Sequence, residues 1–155
     1  GGASQVSAIP IKQELFVGPV LKEDEVLVFY ASAENNGLLS YEKRKITSTK
    51  IENVLQMLLS SPLDKQNIQL LNKDTTKIIV LGQVDDCAYL TLDLGEGGFN
   101  GHLEELAVYS VVNTLTMLPG IKKISLEVIG GSEEFDWNEP LKFNSFLVKE
   151  KTDEL

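Results

Sequence analysis

Scarcity sets the first limits on this chain of 155 residues. Its one cysteine, Cys87, excludes an internal disulfide and a cysteine zinc cage. Its one histidine, His102, gives histidine-based catalysis no support. No apolar stretch approaches the roughly 20 residues that span a bilayer. Basic side chains are also short, 14 against 23 acidic ones, for a formal net charge of −9. Such a surface repels phosphate backbones and anionic lipid heads, which excludes nucleic acid and direct membrane-surface binding as expected partners. What is present is ordinary for one folded domain: 43% hydrophobic and 24% charged residues rule out a disordered chain. A chain of this size buries roughly 68–70% of its unfolded surface and needs no staples. Gly1-Gly2 reads as the scar of tag removal, so the missing signal peptide says nothing about compartment.

Residues 1–22 read as a tether or linker, residues 23–150 as a single domain, and residues 151–155 as a tail. Val26 to Tyr30 is a β-rich run, and Asn35-Asn36-Gly37 is turn chemistry leading to a second strand over Leu39 to Ile46. Glu42, Lys43, Arg44 and Lys45 are what a solvated edge strand carries. Thr49 and Glu52 fit a capping box. Behind them Ile51, Val54, Leu55, Leu58 and Leu59 form one apolar helical stripe, ended by Pro62. Strands over Lys77 to Val84 and Cys87 to Leu94 make a hairpin through Asp85-Asp86. In the second, Ala88, Leu90, Leu92 and Leu94 face inward, and Tyr89, Thr91 and Asp93 outward. A longer helix, His102 to Leu118, has an inner face of Leu103, Leu106, Ala107, Val111, Leu115 and Leu118, widened by Val108 and Val112. Lys122 to Ile129 is a further strand, and Phe143 to Val148 a candidate short one. The order β-β-α-β-β-α-β predicts an α+β fold, a two-layer domain with two helices packed on one face of a mostly antiparallel sheet.

No chemistry-bearing motif survives inspection. The loop Gly95 to Gly101 between a strand and a helix fails the dinucleotide spacing, because its sixth position is Asn100. Glu96, Glu104 and Glu105 would repel a pyrophosphate there. Read as a calcium loop from Asp93, it places Gly95 and Gly97 where carboxylates are needed. His102 lacks a second ligand and is expected exposed, and Cys87 has no partner or basic neighbour to activate it. No metal, cofactor or catalytic residue is expected. Asn113, flanked by Val111, Val112 and Leu115, is expected to be a structural polar residue that fixes a neighbouring loop. Trp137 either closes the core or anchors a sugar or partner.

Taken together, Tyr109 to Thr116, Leu118 to Ile124, the hairpin Val84 to Leu94 and the ending Asp136-Trp137-Asn138-Glu139-Pro140-Leu141 resemble the sporulation and spore germination (GerMN) domain family. The match extends over about Glu25 to Asn144, and one copy fits. The resemblance implies a small α/β module related to ring-building-motif folds, without assigned catalytic residues, from bacterial lipoproteins and membrane-anchored proteins outside the cytoplasm. It implies a non-catalytic protein-interaction domain in envelope assembly or sporulation and germination, with envelope or spore-assembly proteins as partners and an N-terminal lipid anchor. The alternative is a module that binds cell-wall glycan or peptide, for which Tyr89, Phe99 and Trp137 are the candidate contacts.

Overall fold

The protein is described by a computed structural model covering residues 16–35, 37–99 and 101–150; residues 1–15 of the expected tether and the expected tail 151–155 lie outside the described residues. Strand β1 (Glu25–Ser32) pairs antiparallel with β2 (Leu39–Lys45) on one side and, through Ala31 and Ser32, with the two-residue β3 (Asn67–Ile68) on the other. A second sheet has the order β4 (Lys77–Val84), β5 (Cys87–Asp93), β6 (Lys123–Ile129). Helix α1 (Ile51–Leu58) joins β2 to β3, and α2 (His102–Thr116) joins β5 to β6. Among the described residues the fold is thus mixed α+β with two α-helices, and the strands divide into two three-stranded sheets instead of one continuous sheet. β5 and β6 run parallel because α2 carries the chain back across the sheet before β6 begins.

The core explains the two sheets. Val26, Val28 and Tyr30 of β1 join α1, α2, β5 and β6 in the main apolar cluster. Leu27 and Phe29 face the other way into a smaller cluster with Leu39, Tyr41, Leu106, Leu147 and Val148. An apolar run without alternation belongs to a strand covered on both faces, and β1 is that strand. Phe16 and Leu21, within the stretch read as a linker, pack on this second cluster. Phe16 lies against the rings of Phe29, Tyr41 and Phe143.

Several local expectations are corrected. Leu103 is exposed, and α2 instead buries Glu104, Ser110, Asn113 and Thr114 beside its apolar residues, because packing surrounds it on most sides. The Thr49–Glu52 capping box does not form: the helix begins at Ile51, so the N-cap is Lys50, without a side-chain cap, and the Thr49–Glu52 pair is one residue out of register. Glu42 is buried rather than solvated, since its carboxylate accepts from Leu63 N, Asp64 N and Asn67 Nδ2 and pairs with Arg44. Phe143 to Val148 holds a 3-10 turn, Ser145–Leu147, in place of a strand; Asn144 caps it by accepting from Phe146 N.

Candidate functional site

The second sheet has a covered and an uncovered face. Cross-strand register puts Ile78, Leu92 and Val128 in one row and Val80, Leu90 and Leu126 in the next, all turned to the main core. The opposite face carries Ile79, Thr91 and Glu127 in one row, and Tyr89 with Ser125 in the next. A β-bulge between Val80 and Gly82 pushes Leu81 out of register. Nothing among the described residues covers this face: Ile79 is 55%, Leu81 64%, Val84 61%, Ile129 45% and Tyr89 40% exposed. Scattered exposed aliphatics are commonplace, but several on one sheet face mark a contact surface. Polar groups are interspersed: Thr91 Oγ1 donates to Glu127 Oε1 at 3.4 Å, and Lys123 Nζ sits 3.9 Å from Asp86. The Tyr89 hydroxyl is held above the usual tyrosine range, first by its interactions with the Cys87 thiol, then by burial and by Asp85.

Trp137 lies elsewhere. Its ring stacks on Phe135, with centroids 5.2 Å apart, and meets Tyr109 edge-on. Its Nε1 donates to Glu104 Oε2 at 2.9 Å, while Ser132 N donates to Glu104 Oε1 at 2.7 Å. The polar end of the only tryptophan is therefore committed to the domain's own structure. Gly131 is the residue that permits this approach, since a Cβ there would stand 2.6 Å from Glu104 Oε2. Phe99 and Trp137 both pack, half-buried, against the main core. Tyr89 is on the far side of the sheet, so the three aromatic candidates do not share one stacking platform.

Asn113 is fully buried and grips one residue twice: its Nδ2 donates to Asn144 O at 3.1 Å, and its Oδ1 accepts from Asn144 N at 2.9 Å. The segment after β6 is thereby fastened to α2 at Asn113 and at Glu104. The glycine-rich loop has a packing role of the same kind. A Cβ on Gly98 would collide with Gly130 O, one on Gly95 with Thr75 O, and one on Gly130 would stand 2.7 Å from Gly95 O. The loop is a close crossing of backbones where β5 and β6 end. His102 Nε2 donates to Gly37 O at 2.6 Å and its Nδ1 lies 3.0 Å from Glu105 Oε1. Among the described residues no three His, Cys, Asp or Glu side chains gather where they could hold a metal ion. No described helix is long and apolar enough to cross a membrane. Sequence reasoning named Tyr89 but missed Ile79, Leu81, Val84 and Ile129, and the signal available for Ile79 was the unbroken apolar run Ile78 to Leu81 in a strand that had to place two of its residues outward.

Comparison with known proteins places this geometry. No curated protein matches the sequence. The first GerMN domain of the sporulation protein GerM from Bacillus subtilis superposes with a TM-score of 0.58 at 17% identity, over 79% of this chain and 98% of that one. The tandem GerMN domains of the same protein give 0.54 at 17% identity, over 86% of this chain and 51% of that one. A candidate lipoprotein from Clostridium perfringens gives 0.48 at 19% identity, over 79% of this chain and 93% of that one. At these identities the two GerM structures speak for the fold alone. The profile of the family described as "Germane: Sporulation and spore germination" matches residues 27–134, most of the chain, and the protein belongs to that family.

Proposed function

We propose that this domain is a non-catalytic, extracytoplasmic interaction module, carried by a bacterial lipoprotein, that contacts other proteins in envelope assembly or in sporulation and germination. The uncovered outer face of the second sheet, with Ile79, Leu81, Tyr89 and Ile129, carries the reading. Family membership supports the setting. The side chains that might suggest chemistry have internal partners instead: Glu104 holds Trp137 and Ser132, and Glu42 holds the loop before β3. Phe135, stacked on the Trp137 ring, weakens the cell-wall alternative, which asks for a free indole face.

The test is a double variant, Ile79→Ser with Tyr89→Ser. Both side chains are exposed, so the fold should persist by circular dichroism. Complexes of the tagged native protein recovered from source cells after crosslinking should be lost. Muropeptides titrated against Trp137 fluorescence should leave it unchanged. Retained complexes, or saturable quenching, would contradict the proposal.

A further inference from the structure

The outer edge of β4 has no strand beside it among the described residues: β4 pairs with β5 alone. Its N–H and C=O groups on that side can be satisfied by water or by another extended chain. Beside this edge runs a groove of about 420 Å³, between β4, the start of α1 and the turn after α2. Val80 and Gln83 line it from the strand, Ile51 from the helix, and Leu118 and Ile121 from the turn. Inward-facing Ile78 and Val80 are only half-buried, so β4 is short of cover on its inner side as well. Gln83 Nε2 spans the groove's end, donating to Asp85 O at 2.9 Å and Gly120 O at 3.3 Å. Near the α1 side stand Lys50, the N-cap without a side-chain cap, and Glu52.

We propose that this groove receives an extended segment of a partner protein, which adds to β4 as a fourth strand of the second sheet. The proposal rests on the reading of the domain as an interaction module and names how the partner is held. Unpaired main-chain groups specify an extended backbone, and Ile51, Val80, Leu118 and Ile121 in the groove beside them specify alternate apolar side chains on it. Lys50 and Glu52 both line the α1 end, so it takes a polar residue there without selecting one sign of charge. A second copy of this chain fits worse. Two chains of −9 repel each other, which disfavours the same edge pairing with a second copy.

The probe is a phage-displayed library of random heptapeptides, selected on the intact domain and followed by amide chemical-shift mapping of the peptides recovered. The expected peptides are extended, alternately apolar and free of proline. They shift and protect amides of Lys77 to Gln83 and of Ile51 to Asn53. Thr49→Trp, an exposed change that fills the groove, should weaken them by roughly tenfold. Lys65→Ser, an exposed change outside both the groove and the outer face, should leave affinity unchanged. Peptides that map to Tyr89, Thr91 and Ile129 would overturn the groove while leaving the interaction role intact. Failure to select any groove binder, or a concentration-dependent dimer with protected β4 amides, would overturn the proposal.

Discussion

Trp137 Nε1 donates to Glu104 Oε2 across 2.9 Å, joining the chain after β6 to the first turn of α2. Glu104 is fully buried, and its other oxygen accepts from Ser132 N. Replacing it with alanine strands two donors. Glu104→Ala should cost about 1–3 kcal/mol or more, from the desolvation of unpaired groups. Glu104→Gln, which returns one acceptor oxygen, should cost less. Urea midpoints measure the loss, and a red shift of Trp137 emission in the alanine variant, before global unfolding, shows that the indole has been released.

A second tie substitutes for a missing strand. β3 pairs with β1 only at Ala31 and Ser32, and further along that side Phe29 N donates to Thr114 Oγ1 of α2 at 2.9 Å. Thr114→Val keeps the shape and removes the acceptor. It should destabilise the domain by about 1–3 kcal/mol, and amide exchange at Phe29 should quicken more than at Val28 or Tyr30.

The glycine loop offers a paired test. Gly97 and Gly98 both have positive φ, 78° and 39°, but a Cβ on Gly97 meets open space whereas one on Gly98 collides with Gly130 O. Gly97→Ala should cost only the conformational penalty, about 1–2 kcal/mol. Gly98→Ala should cost that and a backbone displacement as well. Equal thermal midpoints for the two variants would contradict the packing role assigned to the loop.

Alkaline pH should act through Tyr30. Burial, opposed by Arg44 and assisted by Glu42, raises its hydroxyl from 10.0 to about 12. The hydroxyl donates to Met57 O and accepts from Arg44. Because the folded chain holds this proton more tightly than the unfolded one, the contribution is complete below pH 10 and disappears as pH rises towards 12. Tyr41 and Tyr109 are shifted in the same direction, chiefly by burial. Urea midpoints should therefore fall steeply above about pH 10, and Tyr30→Phe should make that fall shallower without abolishing it.

The elements were legible where burial has one side. Alternation in Ala88 to Leu94 gave the faces of β5, and the stripe from Ile51 to Leu58 gave α1. α2 was legible as a helix but not in its burial: a helix enclosed on most sides has no single stripe, so Leu103 looked as internal as Leu106. β3 is two residues long and carries no periodic signal at all. The division into two sheets depends on which strands become neighbours, and that is decided by the crossover of α2 and by the double burial of β1. Burial of Glu42 and Glu104 was hidden for a related reason, since all their partners but Arg44 lie far along the chain, from 21 residues away at Leu63 to 33 at Trp137. On the candidate surface, Tyr89 was readable from the alternation of β5. The run Ile78 to Leu81 signalled apolar residues on both faces of β4, but only the tertiary arrangement decides which of those faces is left bare.

The central claim is that the outer face of the second sheet meets another protein. Its most direct test places a photo-crosslinking phenylalanine at Tyr89 and, in a separate variant, at exposed Lys65, with irradiation in the source cells. The account predicts a discrete protein adduct from position 89 and none from position 65. Absence of an adduct at 89, or adducts to cell-wall fragments in place of protein, would contradict it.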